Sequence, residues 1–195
     1  MQNTMKVENK TTMLVVTAMM MCIIMLLTLL IRIPSPTTKG YINIGDAAIF
    51  MSVLMLGWKY GAVAAGVGAA MADAIGGYMY FAPWTLGIKA LMAIAMGLIV
   101  SKAFSSDRSP AAQRRFEVLG MAVGGIVMVT GYYFAEVIMY GSWAVPLIEI
   151  PLNCTQFVVS MIIAVLLSNA LYRTPVGSKF AYTIVPPEKK KNRAA

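Results

Sequence analysis

The sequence predicts an all-α integral membrane domain of six transmembrane helices, and three observations carry that prediction. Hydrophobic residues make up 59% of the 195 positions, the charged fraction is 12% and the mean hydropathy is +0.73, well outside ordinary soluble composition. The apolar residues fall in long tracts separated by short connectors rich in proline, glycine and charge. The basic residues gather in those connectors and in the C-terminal tail. They do not tile one face, so the net charge of +8 does not point to nucleic-acid binding.

The first tract, TTMLVVTAMMMCIIMLLTLLIRI over residues 11–33, would be about 35 Å long as a helix. That exceeds a signal-peptide core, and the following RIPSPTT lacks a small-x-small cleavage pattern, so a retained anchor is expected. Pro34 and Pro36 end it. A polar, turn-rich linker leads to Gly45 and Asp46, after which AAIFMSVLMLG suggests a short second helix over about 47–57. Lys59 and Tyr60 mark a turn before a third helix over about 60–76. The aromatic YMYFAP loop then supplies a proline for the start of a fourth helix, reaching about residue 104. SSDRSPAAQRR reads as a charged connector, with the fifth and sixth helices at about 115–140 and 146–172. The domain plan is an N-terminal segment 1–10, a membrane domain 11–172 and a basic tail 173–195.

Six spans place both termini on one side. The termini and the connectors on that side carry thirteen basic residues, Lys59, Lys102, Arg114 and Arg173 among them, while the opposite side has Arg32 and Lys39. The positive-inside rule therefore predicts cytoplasmic termini and a bacterial cell-membrane, multi-pass location. Asp46, Tyr80 and Glu149 then lie toward the external face.

Packing is expected to run through small residues. Gly57, Gly61, Ala65 and Ala69 recur every four positions, Gly66, Ala70 and Ala74 form a second ridge, and Gly120 with Gly124 repeats the device. Charges inside apolar helices need a reason, because an unpaired charge there is expensive. Asp73, Lys89 and Glu136 stand out; an interhelical ion pair and ligand contact both explain them. In EIPLNCTQ, Glu149, Asn153 and Gln156 approach i, i+4, i+7 spacing and can face one direction, offering donors and acceptors to a polar organic ligand or serving packing and capping. Tyr78, Tyr80, Phe81 and Trp84 suit either an interfacial belt or ring stacking. Asp46 can cap the second helix or gate the pocket.

Several chemistries are excluded or unsupported. Histidine is absent, which removes histidine-ligated metal and histidine general-base mechanisms. Cys22 and Cys154 lack metal-ligand spacing. No phosphate loop, zinc signature or nucleophile elbow occurs, so any ATP hydrolysis must take place in a partner. No cofactor is called for.

Three stretches, IPSPTTKGYINIGDAAIFMSVLMLGWKYGAVAAGVGAAMAD, YFAPWTLGIKALMA and EIPLNCTQ, together with the six-span layout, carry a family pattern. The chain resembles the substrate-binding S components of energy-coupling factor (ECF) vitamin transporters. The resemblance implies a non-catalytic subunit that captures a vitamin or precursor outside the cell. It would join a membrane T component and two cytoplasmic ATPases, and topple to deliver its cargo. It implies a pocket drawn from Tyr80, Trp84, Lys89, Glu136, Glu149, Asn153 and Gln156, with Asn43 and Asp46 near a closing loop. Ala18 and Cys22 on the first helix, or the ridge carrying Gly61 and Ala65, would meet the T component. Hydroxymethylpyrimidine is the expected cargo, with pyridoxine and riboflavin as alternatives. An integral-membrane enzyme using Asp73, Lys89 and Glu136, and a ligand-free structural subunit, are the competing classes.

Overall fold

The structure is a computed structural model describing residues 10–35, 40–104 and 109–175. Its elements are α1 (Lys10–Leu30), β1 (Arg32–Pro34), β2 (Tyr41–Asn43), α2 (Gly45–Ile75), α3 (Ala82–Phe104), α4 (Pro110–Tyr140), a 3-10 turn (Val145–Ile148) and α5 (Glu149–Tyr172). An all-α membrane bundle is thus correct, but its count is not six. Among the described residues, five helices are long and apolar enough to cross a membrane. The expected helices at 47–57 and 60–76 are the two arms of one 31-residue element, Gly45–Ile75, with non-helical backbone at Gly57 between them, and the short first arm does not count as a span of its own. The expected cytoplasmic termini and most of the two flanking segments fall in residues 1–9 and 176–195, outside the described residues.

Gly57 is where α2 departs from a straight rod. Its φ of 77° and ψ of 173° are non-helical, in a region that is essentially glycine-only because a Cβ clashes there. The arms on either side fold against each other. A Cβ on Gly61 would lie 2.9 Å from Val53 Cα, whereas eight positions of straight helix separate residues by about 12 Å. The arm 45–56 is almost wholly buried, which explains why so short an apolar run need not face lipid.

α2 lies between α1 and α3, α3 packs on α4, and α5 touches α2 and α4. Opposite sides of α2 make these approaches through glycine. A Cβ on Gly66 would sit 2.7 Å from the Leu86 carbonyl oxygen, and one on Gly68 would sit 2.8 Å from that of Met21. Gly120 and Gly124 do the same for α4, each placing a would-be Cβ 3.0 Å from an α3 carbonyl. These helices meet backbone to backbone, the packing that small-residue ridges permit in lipid.

Two boundaries differ from expectation for local reasons. α4 begins at Pro110 because the Ser109 hydroxyl caps it, accepting from Ala112 N at 3.3 Å, with proline at the first helical position. Part of the expected charged connector is therefore helix. α1 stops at Leu30 because residues 32–34 pair antiparallel with 41–43, Ile33 opposite Ile42.

Away from this hairpin, Arg114 ties α4 to α5. It pairs with the fully buried Glu117 at 2.6 Å, donates to Ser168 Oγ at 3.0 Å, and donates to Asn169 Oδ1. The two ends of the bundle are thus fastened by different polar groups.

Candidate functional site

The hairpin end of the bundle holds a cavity of about 30 Å³, room for roughly two waters. It is lined by Thr28 of α1, Gly40, Tyr41 and Asn43, Ala69 and Asp73 of α2, Phe81, and Thr85 and Lys89 of α3. Tyr132 and Glu136 of α4 and Glu149, Asn153 and Gln156 of α5 complete it. Every helix except α1 contributes a residue that can carry charge or an amide.

Asp46, in the first turn of α2, organises the centre. Lys89 Nζ donates to its Oδ1 at 2.5 Å and Gln156 Nε2 donates to its Oδ2 at 2.7 Å; Asp46, Lys89 and Gln156 are all at least nine-tenths buried. Gln156 then accepts from the Asn43 backbone N–H through Oε1 at 2.9 Å. One polar chain therefore links α3, α2, α5 and β2. Lys89 also stands 5.3 Å from the Tyr132 ring centroid, within cation–π reach.

This geometry corrects the expected role of Asp46. The N-cap of α2 is Ile44, which makes no side-chain cap bond, and it is Asn43 Oδ1 that accepts from the Gly45 N–H, at 2.8 Å. The Asp46 carboxylate is spent on Lys89 and Gln156 instead.

The hairpin is fastened over the cavity by side chains. Tyr41 donates its hydroxyl to Asp73 Oδ1 and Ser35 donates to Glu149 Oε1. Burial, with the Asp73 carboxylate beside it, holds the Tyr41 phenol above its usual range, so it acts as a neutral donor. Arg32 donates to the Gly76 carbonyl at 3.1 Å and its guanidinium lies 5.4 Å and 5.5 Å from the Tyr41 and Tyr78 rings.

Six expected site residues, Asn43, Lys89, Glu136, Glu149, Asn153 and Gln156, line this one cavity. Tyr80 and Trp84 do not. Tyr80 is exposed and borders a separate outer groove with Tyr78, Phe81 and Tyr140, while Trp84 packs on the apolar core. Thr28, Thr85 and Tyr132 were not anticipated, since a hydroxyl costs too little in an apolar helix to draw notice.

The expected partner surface divides. Ala18 and Cys22 are exposed on α1, but Gly61 and Ala65 are buried against the chain's own residues. The latter pair is therefore packing material, not an outer face.

The described residues thus form a multi-pass helical bundle that encloses a buried, donor- and acceptor-rich cavity beneath a hairpin, the architecture of a polytopic membrane protein. Residues 8–173 match the family described as ECF-type riboflavin transporter, S component, and the chain belongs to that family, a vitamin-uptake family of transporter subunits. A protein of Pyrococcus woesei, described as an uncharacterized protein in gap 3'region, is 38% identical over 114 residues, covering 58% of this chain and 71% of that one. The thiamine precursor transporter HmpT of Lactococcus lactis subsp. cremoris (strain MG1363) is 25% identical over 152 residues, covering 77% and 82%. A solved S component of a bacterial ECF transporter superposes with a TM-score of 0.64 at 19% identity, covering 85% of this chain and 98% of that one, a likeness of fold.

Proposed function

We propose that this S component binds a nitrogen-heterocyclic vitamin or precursor in the cavity beneath the β1–β2 hairpin and delivers it inward with a T component and two cytoplasmic ATPases. The observation that carries the reading is the buried chain Lys89–Asp46–Gln156–Asn43. Such a network is costly in an apolar bundle, and it fixes Lys89, Gln156 and Asn43 at the cavity wall, where a polar heterocycle would meet them. Lys102 in the last turn of α3, Arg114 near the start of α4, Arg173 just after α5 and Lys59 beside the Gly57 break are all on parts of their helices remote from the cavity, so the positive-inside rule supports a cavity that opens outward. The exposed Ala18 and Cys22 are the small residues offered to the T component.

Riboflavin, the cargo in the family's description, is the first to test. A thiamine precursor such as hydroxymethylpyrimidine is the second reading, supported by the Lactococcus relative and by the compact, side-chain-filled cavity. The test is uptake of labelled riboflavin and of labelled hydroxymethylpyrimidine by cells lacking their own systems. Cells making this chain with a T component and two ATPases should accumulate one of them, and cells given a hydrolysis-dead ATPase should not. Accumulation that ignores the ATPases, or accumulation of neither cargo, would contradict the proposal.

A further inference from the structure

Carboxyl groups outnumber cations around the cavity. Asp73, Glu136 and Glu149 line it together with Lys89, and Asp46 lies directly behind Lys89. Three of the four carboxyls are engaged by the protein: Asp46 by Lys89 and Gln156, Asp73 by Tyr41, Glu149 by Ser35. Glu136 is different. It is 3% exposed, and its Oε2, shut away from solvent, has no hydrogen-bond partner among the described residues. A buried carboxyl oxygen left without a donor is costly, and Lys89, the cation of this cavity, is already committed to Asp46.

Resting on the vitamin-site reading above, we infer that Glu136 is the specificity-determining residue of the cavity, receiving a nitrogen donor of the cargo: an amino group on the heterocycle. The surplus of carboxyls selects in the same direction. A ring edge made of carbonyl oxygens, or a cargo bearing a phosphate, meets like charge and acceptor against acceptor. An aminopyrimidine-type edge meets acceptors prepared for it. A site built around a hydrogen-bonding group rejects analogues lacking that group far more strongly than an apolar pocket rejects a missing methylene.

The test is equilibrium binding, without ATP, of three probes to the purified full-length protein. They are a hydroxymethyl-substituted aminopyrimidine, its oxo analogue with C=O in place of C–NH2, and riboflavin. The amino compound should bind more tightly than the oxo compound by roughly 10- to 100-fold, the range for satisfying a buried acceptor that is otherwise left without a partner. In Glu136→Gln, whose amide can donate, that preference should shrink or reverse. Because the comparison of amino and oxo probes is made first on the unaltered chain, it does not depend on the variant folding. Equal affinity for the two, a preference for the oxo compound, or Glu136→Gln weakening both equally would overturn the inference. Riboflavin binding with no response to the amino probe would overturn it while leaving the vitamin site intact. Binding of none of the three by folded protein would overturn both.

Discussion

Replacing Asp46 with asparagine is expected to abolish cargo binding and to lower the thermal midpoint of the purified protein by about 10 °C. The side chain keeps its size, but Lys89 Nζ, 3% exposed and 2.5 Å from the lost carboxylate, becomes a buried charge with no counter-ion. Breaking a buried pair from one side costs about 3–5 kcal/mol, because the remaining ion keeps its desolvation penalty and loses its compensation. Removing both charges is a different matter. In Asp46→Asn/Lys89→Met most of the lost stability should return, since well-packed neutral groups often match or exceed a buried pair. Binding should not return, because Lys89 lines the cavity and the double variant leaves it no ammonium to offer the cargo. Thermal unfolding and ligand binding on the same three variants separate the two effects. A double variant that binds normally would mean the pair only holds α2 to α3.

Gly68→Leu is the second large effect expected. A Cβ at this position would lie 2.8 Å from the Met21 carbonyl oxygen, 3.1 Å from Met21 Cα and 3.2 Å from Ile24 Cβ. Two of these are backbone atoms, so no rotamer change relieves the clash and α1 must move off α2. Overpacking of this kind costs about 1–3 kcal/mol and sometimes more. The same displacement carries Thr28 away from the cavity, so cargo affinity should fall with stability. Gly87→Ala is the control. Nothing lies within 4 Å of its would-be Cβ, and the gain in helix propensity, up to about 1 kcal/mol, should leave it neutral or slightly stabilised. Thermal midpoints and size-exclusion profiles in detergent distinguish the pair; a Gly68→Leu protein as stable as the control would disprove the backbone-contact packing.

What the amino-acid sequence made legible follows from cost. Lys89, Glu136, Glu149, Asn153 and Gln156 stand out because charges and amides inside apolar tracts demand an explanation, and the structure gathers them around one cavity. Tyr80 and Trp84 attracted attention for the opposite reason, that aromatics suit many places. One ends exposed at the outer groove and the other against the core. The β1–β2 hairpin was hidden because three-residue strands such as RIP and YIN are too short to show alternation.

The error at Gly57 is instructive. Sequence pattern correctly marks a break there and a short helix before it, but counting that short helix as a sixth span overcounts the crossings: twelve residues of helix reach about 18 Å, short of a bilayer core. The observed element runs from Gly45 to Ile75 with its break inside. Asp46 was misread for a related reason. An acidic residue at a helix start is a common cap, and nothing local reveals that Lys89, 43 positions away, will claim it.

Mass spectrometry of the gently purified full-length protein, followed by titration with riboflavin and hydroxymethylpyrimidine in the absence of ATP, tests most directly whether the buried cavity is a cargo site. One vitamin should bind saturably at one molecule per chain, with binding lost in Asp46→Asn and in the Asp46→Asn/Lys89→Met double variant. Folded, monodisperse protein that binds neither compound, or that binds one equally well in the wild type and the double variant, would contradict it.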